Sequence, residues 1–245
     1  MKVNMNIGVE TMRKCLPIMA EDFREVYEIV ESYNDNTKVD MYELRADTFL
    51  DDMDYDGLMK GWSKLKELSK KPILFTYRTR FEGGLGKSSI TEYNEVVRTV
   101  IKEVRPEYLD LELSSCCSDA NAKMYIRLAN HYGTKTILSK HDLIYTGSAK
   151  EIEMLFMRMH YLGCHMPKIA AMANDEKDVI SMVIGAEKAK SQIGDLIAIS
   201  MGKMGVKTRL PGNLNKSAIG FAKPVGRKVD KNSSELTGQI DIEEM

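Results

Sequence analysis

The feature that most limits what this chain can become is a recurrence. Short apolar runs alternate with amphipathic stretches at a spacing of about 30 residues, along most of the 245-residue chain. The apolar runs, read as strands, fall at 15–19, 39–44, 72–77, 108–113, 134–139, 168–172, 196–201 and 218–222. The amphipathic stretches, read as helices, fall at 21–34, 56–69, 89–104, 119–131, 148–162 and 174–191, with a short polar stretch at 211–217. Ser89-Ile90-Thr91-Glu92 and Ser148-Ala149-Lys150-Glu151 fit the capping box, in which a hydroxyl and a carboxylate satisfy the orphan amides of a helix start. Gly133 and Gly163 sit where a left-handed residue ends a helix. Eight strand–crossover units predict an α/β chain folded as one (β/α)8 barrel over residues 1–245, with a short N-terminal strand or hairpin arm around residues 5–9. A doubly wound open sheet would carry a Gly-rich phosphate loop after its first strand. The run there is Ala20-Glu21-Asp22-Phe23.

Charge excludes some partners. Lys plus Arg number 35 and Asp plus Glu 36, a formal net charge of -1, which argues against an extended nucleic-acid or anionic-membrane surface. No apolar run approaches the roughly 20 residues that span a bilayer. The N-terminus lacks the pattern of a signal peptide, so a reducing cytoplasm is the expected compartment. Cys15, Cys116, Cys117 and Cys164 have no Cys-x-x-Cys spacing and read as free thiols. His160, Cys164 and His165 lie close together, but no second Cys or His pair completes a ligand set, and no metal is expected.

Residues 166–173 form an apolar strand signature, with Gly163 before it and Asn174-Asp175 after it, of the kind buried on both faces of a parallel sheet. Lys168 sits near its start. A buried ammonium is costly unless paired or neutralised. One reading is an amine kept partly unprotonated by desolvation, able to attack a carbonyl and form a Schiff base. The other is a strand-end lysine reaching for water. In a barrel, functional groups gather at the C-terminal strand ends. Those positions hold Glu43, Arg45 and Asp47; Arg78, Arg80 and Glu82; Lys140, His141 and Asp142; and, after the seventh strand, Lys203 and Arg209. Each has a plainer alternative: a structural salt bridge for Glu43 and Arg45, a surface imidazole for His141, a solvated charge for Arg209. Asp110 and Glu112 read closer to structural. The convergence of a lysine, a histidine, arginines and carboxylates on one rim favours a site.

Together the segments Glu43-Leu44-Arg45-Ala46-Asp47, Arg78 with Glu82-Gly83-Gly84, Ser139-Lys140-His141-Asp142-Leu143, Pro167-Lys168-Ile169-Ala170, Ser200-Met201-Gly202 with Arg209, and Gly238-Gln239-Ile240 resemble type I 3-dehydroquinate dehydratase. The resemblance runs in the family's order from about residue 14 to residue 240. It implies a (β/α)8 homodimer that dehydrates 3-dehydroquinate to 3-dehydroshikimate in the shikimate pathway, without metal or cofactor. It implies Lys168 as the Schiff-base lysine, His141 as general acid and base, and Glu82 as the carboxylate that orients His141. It further implies that Arg209 and Gln239 hold the substrate carboxylate, and that Glu43, Arg45 and Arg78 bind the ring hydroxyls. The polar segment 223–238 reads as a lid or as an ordinary exposed loop.

The chain departs from the family's pattern in places. Glu235 stands where the family has a serine touching the carboxylate, so that role is expected of Ser234 or Ser233 through a shifted loop. His165 stands in place of Asp, Thr208 in place of Ser before Arg209, and Asn213 and Leu214 break a Glu-x-Phe pattern. Two rival functions remain open at this point. A lysine-dependent aldolase-type lyase would share Lys168. A silent barrel sensing a quinate-like ligand would be expected to lose Lys168 or His141, and both are present.

Overall fold

A computed structural model describes residues 12–50, 54–210, 214, 217–225 and 238–245. Eight strands follow in chain order: β1 (Arg13–Ile18), β2 (Met41–Arg45), β3 (Ile73–Thr76), β4 (Tyr108–Glu112), β5 (Lys135–Asp142), β6 (Met166–Met172), β7 (Ile197–Met201) and β8 (Ile219–Phe221). Between them lie α1 (Phe23–Tyr33), α2 (Tyr55–Leu68), α3 (Ile90–Thr99), α4 (Asp119–His131), α5 (Ala149–Tyr161) and α6 (Glu176–Ile193). Helix α3 continues as a π-helical turn, Val100–Val104. The pairings are parallel throughout, in the order β7-β6-β5-β4-β3-β2-β1-β8. This is the barrel that the eightfold recurrence predicts.

Local chemistry sets the helix ends. Asp22, Asp54, Ser118 and Asp175 each accept from a backbone amide three residues on, and Ser148 with Glu151 closes a full capping box. Ser89 supplies the hydroxyl half of the expected box. Gly133 and Gly163 are left-handed, at φ 80° and 92°. The crossover from β7 carries a 3-10 segment, Lys203–Thr208. It forms where Gly205 packs so tightly on Ser200 that a Cβ would lie 2.0 Å from the Ser200 carbonyl oxygen. Most of 211–217 lies outside the described residues, as do the expected N-terminal arm and most of the segment 223–238. Strand β5 also runs on to Asp142, beyond the expected end at residue 139, and so carries His141 within the sheet.

Alternation along each strand divides the apolar residues into two clusters. One draws Cys15, Met41, Leu74, Tyr108, Ile137, Met166, Ile197 and Ile219 from all eight strands and none from a helix, and it fills the barrel interior. The larger one joins the outward faces of the strands to the helices. On β6, Met166 and Ala170 belong to the interior and Ile169 and Ala171 to the outer layer. Lys168 has the parity of the interior set.

The last seam uses a side chain. Ala218 N–H donates to the Leu196 carbonyl at 2.9 Å. The Ser217 hydroxyl accepts from Ala198 N–H at 2.9 Å and donates to the Ala198 carbonyl at 2.8 Å. Losing that buried hydroxyl leaves both backbone groups without it. Ser217→Ala is therefore expected to lower unfolding free energy by about 1–3 kcal/mol, read as a lower urea midpoint at constant slope. An unchanged midpoint would show that the seam does not need this hydroxyl.

Candidate active site

The C-terminal half of the barrel interior is polar, and one guanidinium organises it. Arg78, 3% exposed, follows β3. Its Nη2 pairs with Asp110 at 2.8 Å, and its Nη1 reaches Glu112 at 3.1 Å, Glu82 at 3.2 Å and the Ser139 hydroxyl oxygen at 3.0 Å. Three buried carboxylates, two from β4 and one from the turn after β3, therefore converge on one cation. Burial works against ionisation of each. In Glu82 and Glu112 burial wins and raises the pKa, with each other's or Asp110's negative charge adding to it. In Asp110 the burial penalty is outweighed by Arg78 and Lys168, which bring its pKa down to about 2.

Glu82 owes its position to a tight turn. Glu112 accepts from the Thr79 amide at 2.8 Å, the Thr79 hydroxyl at 2.8 Å and the Ser115 hydroxyl at 2.5 Å, which anchors the start of the 3-10 turn Arg80–Glu82. Gly83 ends the turn at φ 83°. Gly84 lies so close to Arg78 that a Cβ would meet its carbonyl oxygen at 2.1 Å. Thus the paired glycines let the turn fold back, and Glu82 points inward to His141. Its Oε2 accepts from the His141 backbone amide at 3.0 Å and contacts Nδ1 at 2.9 Å. That contact makes Nδ1 the donor in the neutral ring and leaves Nε2 free to accept a proton. Burial, then the positive charges of Arg78 and Lys168, hold the His141 pKa well below the ordinary value, so the ring is neutral at neutral pH.

Lys168 lies on the adjacent strand. The β5–β6 register sets Ser139 opposite Lys168 and His141 opposite Ala170. The amine is buried, 3.5 Å from Asp110 Oδ2 and 4.3 Å from the centre of the Phe221 ring. The arrangement can therefore offer an amine to a carbonyl and an imidazole to a neighbouring proton, with water largely excluded.

The remaining candidate residues form the surroundings. Glu43 is buried and accepts from the Thr76 hydroxyl at 2.8 Å. Arg45 is clamped by Asp47 through two bonds of 2.8 Å, and Asp47 also accepts from the Leu85 amide. Alternation predicts Asp47 on the strand face, whereas it sits in the 3-10 turn Ala46–Thr48 as the partner of Arg45. Arg209, at the end of the 3-10 segment after β7, is buried, and burial lowers its pKa to about 10, which leaves it charged at neutral pH. Gln239 is half-buried beside Gly238, which at φ 63° packs on Gly202 so closely that a Cβ would lie 2.4 Å from that carbonyl oxygen. Backbone bonds between Lys223 and Ile240 and Ile242, with the Lys223–Asp241 ion pair, tie the two ends of the segment 223–238 together. Ser233, Ser234 and Glu235 lie outside the described residues. Two contacts of Lys168 were not singled out from sequence. Asp110 read as closer to structural, and Phe221 was one apolar residue in a strand; inward parity on β4 and β8 was the only signal for either.

Among the described residues, no group of three or more His, Cys, Asp or Glu side chains stands together as a metal site. Cys15, Cys116, Cys117 and Cys164 are free thiols, and only Cys117 is exposed. No helix among the described residues is long and apolar enough to cross a membrane.

Fold and site together define a (β/α)8 enzyme built around a buried amine and an imidazole–carboxylate pair. Comparison narrows the class. The chain belongs to the type I 3-dehydroquinase family, whose model matches residues 14–245. A 3-dehydroquinate dehydratase of Alkaliphilus oremlandii is 33% identical over 99% of this chain and 92% of that protein. The type I 3-dehydroquinate dehydratase of Clostridium difficile, solved with covalently modified comenic acid, superposes with a TM-score of 0.83 at 27% identity, covering 96% of this chain and 89% of that one. The Geobacillus kaustophilus 3-dehydroquinate dehydratase gives the same TM-score at 26% identity, over 95% and 87% of the two chains.

The depressed His141 pKa has a measurable sign. The unfolded chain binds this proton below about pH 6.5 and the folded chain does not. Stability is therefore lost as pH falls below that value, by up to about 1.4 kcal/mol per unit from this group. A nuclear magnetic resonance titration should find the His141 ring neutral at pH 6.5, and His141→Asn should flatten the acid side of the stability profile. A ring half-protonated at pH 6.5 or above would contradict the burial argument.

Proposed function

We propose that the chain is a 3-dehydroquinate dehydratase, a hydro-lyase of the shikimate pathway, working through a Schiff base on Lys168. The observation that carries the proposal is the enclosed amine of Lys168 one strand away from the His141–Glu82 pair.

The chemistry follows from the positions. The Lys168 amine adds to the substrate ketone, and loss of one water gives a protonated imine. That group draws electrons from the adjacent carbon, whose C–H becomes acidic. His141, neutral and oriented through Nδ1 by Glu82, takes the proton at Nε2. The electron pair passes to the imine nitrogen, then returns to expel the hydroxyl group on the next carbon. His141 gives its proton to that leaving oxygen, so a second water departs. Addition of one water to the conjugated imine releases the enone and restores the amine. The net change is the loss of one water from the substrate.

Binding is assigned by charge. Arg209 holds the substrate carboxylate through its planar fork, with Gln239 and a lid serine, Ser234, beside it. Glu43, Arg45 and Arg78 face the ring hydroxyls. For Arg45 the group turned to substrate is Nη1, whose contact in the structure is the weak acceptor Met19 Sδ at 3.9 Å, since Nε and Nη2 are taken by Asp47. The segment 223–238 closes over the ligand from ends that Lys223 and Asp241 hold together. A cytoplasmic homodimer completes the reading, in keeping with the four free thiols. A sensor barrel would not need the neutral imidazole aligned with a carboxylate.

Three outcomes test this. With 3-dehydroquinate, wild-type protein should raise the ultraviolet absorbance of the conjugated enone, Lys168→Ala should abolish the signal, and His141→Ala should reduce kcat by about 100-fold or more. Borohydride with substrate should add mass at Lys168 alone; full turnover by Lys168→Ala would end the Schiff-base mechanism. Gln239→Ala should raise KM more than it lowers kcat, because its contact is the same in ground and transition states.

A further inference from the structure

Two groups hold the Lys168 nitrogen, and neither is given a role by the reaction as written. Asp110 Oδ2 stands 3.5 Å from it, and the face of the Phe221 ring lies 4.3 Å away. Asp110 is itself fixed: its Oδ1 accepts the Ser139 hydroxyl at 2.6 Å and pairs with Arg78 Nη2 at 2.8 Å. All of these side chains are buried, and Ser139 and Lys168 face each other across the β5–β6 ladder. The carboxylate is therefore aimed at the nitrogen by bonds that do not involve the lysine.

We propose that Asp110 is a positioning residue for the covalent intermediates: it is the counter-ion that keeps the Lys168 imine protonated, with the Phe221 ring as a second, weaker support. The proposal rests on the Schiff-base reading. Condensation of the amine with the ketone expels water and leaves a positive charge on the nitrogen. In a dry cavity, an iminium without a counter-ion would give up its proton, and a neutral imine is a poor electron sink. The charge vanishes when the carbon-bound proton leaves and reappears when the hydroxyl departs. A carboxylate already in place stabilises the second appearance without reorganisation. The aromatic face attracts the same cation through its quadrupole.

The test separates protonated from neutral imine. Cyanoborohydride reduces only the protonated form efficiently, whereas borohydride reduces both. With 3-dehydroquinate, the ratio of cyanoborohydride-trapped to borohydride-trapped adduct should fall by about tenfold or more in Asp110→Asn. At the same time kcat should fall by about 100-fold, with KM changed only a few-fold. Glu112→Gln takes the same charge from Arg78 without touching Lys168, and should leave the trapping ratio at the wild-type value. Phe221→Leu should lower the ratio by about threefold. Ser139→Ala removes a bond that aims Asp110 and keeps its charge; it should lower the ratio in the same direction, and carries the test should Asp110→Asn fail to fold. A wild-type ratio in Asp110→Asn, or in Ser139→Ala where that is the variant available, overturns the proposal, as does an equal fall in Glu112→Gln. Absence of any adduct in wild-type protein sinks the Schiff-base mechanism instead, and is distinguishable because borohydride alone reports it.

Discussion

A single guanidinium shared among three buried carboxylates is the constraint on which the rest of the site depends. Without Arg78, Glu82, Asp110 and Glu112 would face one another in a medium that penalises each charge. With it, each keeps a fixed direction and a different task. Glu112 ties down the turn after β3. Glu82 orients an imidazole. Asp110 faces an amine. The arginine thus sets the geometry of groups on β4, β5 and β6 without supplying any of the reacting atoms.

Such a network is expensive to bury, and the barrel limits the cost by separating functions along its axis. The apolar interior cluster, from Cys15 round to Ile219, supplies packing, while the polar residues lie toward the strand ends, where their hydrogen bonds can be completed by loops. Glycines admit those loops where a side chain could not fit. Gly84 against Arg78 returns the turn that carries Glu82, and Gly238 against Gly202 brings Gln239 to the end of β7. Both contacts are with backbone, so a methyl group at either position would displace Glu82 or Gln239.

Much of this was legible in the sequence. Period and capping gave eight strands and six of the crossovers, and a charge in an apolar strand marked Lys168, which left a reactive amine and a strand-end lysine reaching for water as its two readings. The paired glycines after Glu82 and the Ser-Lys-His-Asp run were equally visible. Other features were not. Whether β5 ended at residue 139 or continued through His141 depended on pairing with β6, which single-strand patterns do not encode. The 3-10 segment after β7, where Gly205 packs on Ser200, rests on a contact between residues five apart that strand and helix periods do not encode. Asp47 looked like a third group at the barrel mouth, yet the chain turns after Arg45 and makes it that arginine's partner. Asp110 and Phe221 became informative only once the distances to one nitrogen were known.

The electrostatics of the amine and the imidazole answer opposite needs. In the proposed mechanism the base must be neutral before it acts, and the covalent nitrogen must be charged while it does. Lys168 is buried and the His141 ring is mostly so, and desolvation favours the neutral form of the imidazole. What separates them is the placement of carboxylates relative to nearby cations. His141 meets the fields of Arg78 and Lys168 as well as that of Glu82, and the outcome is a ring held neutral. Lys168 instead has Asp110 in direct contact and an aromatic face beside it. Because Arg78 and Lys168 both face Asp110, the ionised carboxylate that supports one cation is kept ionised by the other. The amine and the imidazole therefore share one connected group of charges, with Asp110 the member that touches the amine and Glu82 the member that touches the ring.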